Sequence, residues 1–206
     1  MELAVYASHA KDYYAIVEVL KKHHFKFLSL NPGAPLPKGI KALVVSSKDL
    51  DKIECPPSVK LIKVDDETLP ITPAKVKLAL DGKDLFSELV IGIDPGETYG
   101  LAVLGDLDLI DCRVFRDLGA LKEYVDLLLK ARLATKVLLR VGNGSPRHRD
   151  KVLSTLSSTL KGVEVEVVDE SLAFNPPPLL LKGTPKDAVS AVKIALKRGV
   201  KLRFNK

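Results

Sequence analysis

The chain has 206 residues, 46% hydrophobic and 28% charged, with a formal net charge of +6. These totals exclude a disordered chain and predict a globular protein with one large core or two small ones. No apolar run approaches the ~18 residues of a membrane-crossing helix, and Met1-Glu-Leu-Ala-Val-Tyr lacks the basic start of a signal peptide, so a cytoplasmic protein without a membrane partner is expected.

Cys55 and Cys112 stand far apart with no CxxC pair, which suggests neither zinc nor a disulfide framework. All eight arginines lie at or beyond Arg113. Arginine is the better phosphate clamp, so the second half is the expected nucleic-acid face. The absence of Trp and Gln, with abundant Lys and Glu, leans toward a thermophilic source.

In the first half, Leu3–Ala7 reads as a strand and Asp12–His23 as a helix with apolar residues at helical spacing. Strands follow at Phe25–Leu30, Ile40–Ser46 and Val59–Val64, with a short helix over Ser47–Ile53. This order predicts a small parallel α/β module over residues 1–70. No glycine-rich phosphate loop follows its first strand. Residues 71–83 read as a linker with a short helix started by Thr72-Pro73.

Residues 84–206 open on the apolar run Leu89–Ile93, which ends in Asp94-Pro-Gly96 and returns as Gly100–Leu104. That is a buried strand, a tight turn and an antiparallel strand. A hairpin turn at 105–108 leads to a third strand, Leu109–Phe115. A helix over Ala120–Leu133, a strand over Lys136–Val141, a helix over Pro146–Leu160, a strand over Val163–Val168 and a helix over Pro185–Arg198 complete the order β-β-β-α-β-α-β-α. Three strands joined by short turns must be antiparallel neighbours, and crossover helices then add parallel strands. The segment Phe174-Asn-Pro-Pro-Pro178 is a stiff loop near the end of the last strand.

An acid ending a wholly apolar strand is costly to bury unless a cation meets it. Asp94 is therefore a candidate metal ligand, although an Asp that simply opens a Pro-Gly turn is the plainer reading. Ser145-Pro-Arg147-His148-Arg149-Asp-Lys151 opens a helix with cations where acids are preferred. Arg147, His148, Arg149 and Lys151 are thus candidates for receiving a nucleic-acid phosphate.

The order, and above all Ile91-Gly-Ile-Asp-Pro-Gly96, resembles the RuvC and YqgF group of the ribonuclease H-like superfamily. Val168-Asp-Glu170-Ser-Leu resembles the YqgF-type motif after the fifth strand, and Val141-Gly-Asn-Gly-Ser-Pro146 its glycine loop. Lys186-Asp187-Ala-Val resembles the segment supplying the final acid. The resemblance spans about residues 88–199 and leaves the first module outside. It implies a mixed five-stranded ribonuclease H-like sheet preceded by the parallel module.

It also implies that Asp94, Glu170 and Asp187 are catalytic, holding Mg2+ or Mn2+ for two-metal phosphodiester hydrolysis. Asp169 competes with Glu170 for the second position, and Asp187 also fits a capping role in Thr184-Pro-Lys-Asp187. Two departures stand out. Glu97 replaces a small hydroxyl residue, and Arg140 occupies a strand position where RuvC-type resolvases carry a glutamate. The function implied is a magnesium-dependent nuclease on structured RNA or branched DNA, with a homodimer suiting a two-strand reaction. The alternative is a non-catalytic nucleic-acid-binding or assembly protein on the same fold. A phosphate-binding turn of the actin and sugar-kinase type is a third, disfavoured because only one such lobe is present.

Overall fold

The computed structural model describes residues 1–171, 176–177, 181 and 185–202, and it divides into two compact units, Met1–Asp84 and Leu85–Lys206. Among the described residues no helix is long and apolar enough to cross a membrane.

The first unit is a four-stranded parallel sheet in the order β2-β1-β3-β4. Its elements are β1 (Leu3–Tyr6), α1 (Ala10–Lys22), β2 (Leu28–Ser29), β3 (Ala42–Ser46), β4 (Lys60–Val64) and α2 (Thr72–Leu80). Alternation along β1 and β3 sends Leu3, Val5, Ala42 and Val44 to one face, where Ile16 and Leu20 of α1 and Val76 and Ala79 of α2 cover them. Ala4, Tyr6, Leu43 and Val45 face the other way, under the connecting segments that carry Leu30, Leu36, Leu50 and Ile53.

The expected strand Phe25–Leu30 shortens to Leu28–Ser29, because Phe25 and Phe27 turn into the core beside α1. The expected helix over Ser47–Ile53 is a 3-10 helix, Ser47–Lys52. It is pinned by Asp49, which is fully buried. The Ser8 N–H and hydroxyl donate to the Asp49 carboxylate at 2.8 and 2.5 Å, and Lys52 Nζ donates at 2.8 Å. These partners hold the Asp49 carboxyl well below the usual carboxylate range against the opposing effect of burial, which is the largest single influence on it.

The second unit is built on a mixed sheet in the order β10-β9-β8-β5-β6-β7. The strands are β5 (Phe86–Pro95), β6 (Tyr99–Gly105), β7 (Asp108–Phe115), β8 (Ala134–Gly142), β9 (Glu164–Val168) and β10 (Val200–Lys201). The helices are α3 (Leu118–Lys130), α4 (Pro146–Leu156) and α5 (Val189–Leu196). β5, β6 and β7 form an antiparallel meander, and β8 and β9 run parallel to β5. The six strands correct the expectation of five. β10 is only two residues long and pairs antiparallel with β9, too short to leave a periodic signal.

Side chains of β5 alternate across the sheet. Leu89, Ile91 and Ile93 are fully buried on the face carrying α3 and α4. Val90 lies on the opposite face with Ala102, Leu104 and Leu138, against Ala191, Val192 and Ala195 of α5. The last helix is shorter than expected. A 3-10 turn, Lys186–Ala188, precedes α5.

Candidate functional site

Gly92 decides how closely α5 approaches the sheet. A Cβ there would lie 2.5 Å from the Ala191 carbonyl oxygen, 2.7 Å from the Ala195 nitrogen and 2.6 Å from its Cβ. Glycine alone lets the helix backbone rest on β5 at this point. Two residues on, the same face presents Asp94, so the start of α5 comes down beside the carboxylate. Ser190 is the second residue of α5.

Glu170 reaches the same place from the end of β9. Its Oε1 accepts the Gly144 N–H at 2.7 Å. It lies against two glycines of the loop after β8. A Cβ on Gly142 would meet Glu170 Oε1 at 2.3 Å, and one on Gly144 would meet it at 3.0 Å. The Gly-Asn-Gly segment thus forms a cradle for this carboxylate. Burial pushes the Asp94 carboxyl above its ordinary value of 3.8, the Glu170 carboxylate adds to the rise, and the Ser190 side chain opposes it. Asp94 is thus half-buried at the C-terminal end of β5, and Glu170, exposed just beyond β9, adds its charge there.

Asp169 has a different partner. Its Oδ1 accepts the Ser171 N–H at 2.9 Å, and that turn holds its carboxyl below the ordinary range. The backbone of Asp187 lies in the turn that leads into α5, and its side chain lies outside the described residues, as does most of the Phe174–Pro178 loop. Among the described residues no three His, Cys, Asp or Glu side chains form a metal-holding group.

The basic helix start stands next to the Asp94 turn. Ser145 precedes α4 but does not cap it. Its hydroxyl pairs with His148 Nδ1 at 2.7 Å. His148 Nε2 lies 3.8 Å from Glu97 Oε1, a side chain that is 98% exposed, so Glu97 projects into solvent beside α4. Arg149 bonds to Asp150 at 2.8 Å and to the Asn143 side chain. Arg147 and Lys151 are exposed.

Arg140 is buried on the α5 face of β8. Its Nε donates to Glu166 Oε2 at 2.8 Å and a terminal nitrogen donates to the Ala195 carbonyl at 2.5 Å. Glu166 Oε2 also accepts the Gly199 N–H at 3.1 Å. Arg140 therefore ties β8, β9 and the end of α5 together. The sequence offered one signal for this: an arginine inside the apolar run Val137–Val141 requires a buried acid on a neighbouring strand.

A family model for a response regulator receiver-like domain matches residues 2–72, within the first unit and less than half of the chain. No curated protein matches this chain in sequence. Among solved structures, Thermus thermophilus RuvC is similar at 20% identity and a TM-score of 0.40, over 52% of this chain and 90% of that one. The T. thermophilus RuvC complex with a Holliday junction substrate gives 17% and 0.38 over the same shares. Marinitoga piezophila Argonaute in complex with 5′ OH guide RNA is similar at 11% and 0.28, over 82% of this chain and 39% of that one. Likenesses this distant add no weight to any reading of the site.

Proposed function

We propose that residues 84–206 are a ribonuclease H-like domain of the RuvC and YqgF kind, acting as a Mg2+- or Mn2+-dependent nuclease on structured RNA or branched DNA. The observation that carries this is Asp94, a half-buried carboxylate at a strand end whose charged form is disfavoured by burial and by the Glu170 carboxylate, so that a cation would stabilise it. The sheet order supports it, since an antiparallel meander flanked by parallel β8 and β9 puts both acids at one sheet edge.

The donor chemistry fits a hard divalent ion, which prefers carboxylate oxygens. Asp94 and Glu170 would hold it, with Asp187 as the proposed third acid. Such an ion, when bound, supplies Lewis acidity toward a phosphoryl oxygen and lowers the pKa of water. The chain's own contribution is placement. The Gly144 N–H fixes Glu170, and Gly92 lets α5 close the site's far side. The start of α4 offers backbone N–H groups to a phosphate, with Arg147, His148, Arg149 and Lys151 around it. Met1–Asp84 form a separate compact unit whose core includes Val76 and Ala79 of α2, and a homodimer would suit cleavage of two strands.

A second reading, a non-catalytic nucleic-acid-binding protein, draws on one observation. Arg147 and Lys151 are exposed at the start of α4, where they can meet a phosphate whether or not the acids hold a metal. One experiment separates the readings. Wild type and Asp94→Asn are compared on junction, duplex and hairpin substrates in Mg2+. The nuclease reading expects a loss exceeding the roughly 10–100-fold typical of residues that only support a ligand. Equal behaviour of the two proteins, with salt-dependent binding retained, establishes the binding protein instead.

A further inference from the structure

We infer that Arg149 is a positioning residue for the Glu170 carboxylate, an assignment that rests on the acidic-site reading above. Arg149 stands in the first turn of α4, where the helix dipole disfavours a cation. Its guanidinium is nevertheless settled within the fold, and its side chain is only 24% exposed. Nε donates to Asp150 Oδ1 at 2.8 Å, and Nη2 lies 2.7 Å from the same oxygen. Nη1 donates to the side-chain oxygen of Asn143.

Asn143 is the middle residue of Gly142-Asn-Gly144, flanked by two glycines whose backbone is costly to order. Two bonds fix it. Its N–H donates to the Val168 carbonyl at 3.0 Å, which ties the loop to β9. Its side chain is held by Arg149, which ties the loop to α4. The next N–H along the chain, that of Gly144, donates to Glu170 Oε1 at 2.7 Å. Glu170 is exposed, so the direction of its carboxylate depends on such a donor. Releasing Arg149 frees the Asn143 side chain and lets the peptide between Asn143 and Gly144 turn, which carries the Gly144 N–H off the carboxylate. An acid held by a fixed donor is the better cation ligand.

Placement and plain charge predict opposite signs. A cation near an acidic site repels a second cation, so removing Arg149 would tighten metal binding if only its charge counted. If Arg149 acts through the Asn143 loop, removing it weakens metal binding.

The test measures Mn2+ affinity of the full chain by calorimetry, without nucleic acid, for wild type, Arg149→Ala, Asn143→Ala, the double variant and Asp94→Asn. Amide hydrogen exchange at Gly144 is followed in parallel. Arg149→Ala and Asn143→Ala are each expected to weaken Mn2+ binding roughly tenfold, the scale of a lost support to a ligand. The double variant is expected to lose no more than either single one, because both break the same bond. Gly144 exchange is expected to quicken in both single variants. Asn143→Ala alters an exposed side chain and decides the matter if Arg149→Ala folds poorly. Mn2+ affinity at or above the wild-type value in the single variants, unchanged Gly144 exchange, or a double loss equal to the product of the single ones overturns the proposal. If wild type and Asp94→Asn both fail to bind Mn2+, the acidic-site reading itself falls and takes this assignment with it.

Discussion

The second unit carries two groupings of charged side chains, one inside its sheet and one at the C-terminal ends of its strands. Arg140 and Glu166 are opposite in sign, and their side chains are 8% and 9% exposed. Every strong partner they need is within the fold. Arg140 also serves the Ala195 carbonyl, and Glu166 also receives the Gly199 N–H. Asp94 and Glu170 are alike in sign, and what acts on Asp94 is burial, Glu170 and one hydroxyl. The first pair is complete as it stands and holds α5 to the sheet. The second is left to be completed by something cationic. A buried charge is thus no sign of function by itself. The sign of its neighbour decides.

Breaking the complete pair should have the largest effect. Arg140→Met leaves Glu166 buried without its cation, and a loss of about 3–5 kcal/mol is expected, read from denaturant unfolding. Replacing both partners together, Arg140→Met with Glu166→Met, should recover most of that loss. A double variant no better than the single one would show that the pair's partners on α5 matter more than its charges.

The incomplete pair should respond to a cation. If the site binds Mg2+ or Mn2+, the ion at a hundredfold excess over its Kd should stabilise wild type by about 2.7 kcal/mol, and Asp94→Asn should gain nothing. Gly142→Ala sharpens the same point. Its Cβ would sit 2.3 Å from Glu170 Oε1 and 2.7 Å from Ile194 Cδ1, so the carboxylate must leave its cradle. A cost of about 1–3 kcal/mol is expected, together with loss of the metal response.

The smallest effect concerns pH. The Asp94 carboxyl is raised above 3.8 in the fold, so the folded chain holds this proton more tightly than the unfolded chain does. Asp94 therefore favours folding at low pH, and that contribution is lost as pH rises from 3.8 through the raised value. In the absence of metal, Asp94→Asn should melt slightly above wild type at neutral pH, with the gap closing below pH 3.8. A variant that melts below wild type at neutral pH would contradict the like-charge description.

The complete pair was the harder one to read from sequence. Glu164-Val-Glu166-Val alternates like a strand with one face in water, yet Glu166 is buried, because Arg140 stands opposite it in the parallel register. Pairing partners follow from topology, and a single strand does not reveal them. The acid site was more visible. Asp94 ends an apolar run and Glu170 follows another, so both announce a strand end. The role of Gly92 stayed hidden, since a glycine within an apolar strand looks the same whether a helix or a side chain lies over it. In the first unit, the strand at Phe25–Leu30 failed because two phenylalanines that fit a strand also fit the space beside α1.

The position of α5 bears on the order in which the second unit assembles. The meander of β5, β6 and β7 joins neighbours across turns of a few residues, including Asp106-Leu107, both in the left-handed region at φ 49° and 75°. Contacts of such short separation form early. By contrast, α5 meets β5 only after about a hundred further residues have been laid down, and that long closure comes late. The two carboxylates would then be brought into their shared space at the end of folding, on a sheet already in place. Repulsion between them would burden the last step and spare the nucleus. In hydrogen exchange, the amides of α5 should open before those of β5 and β6.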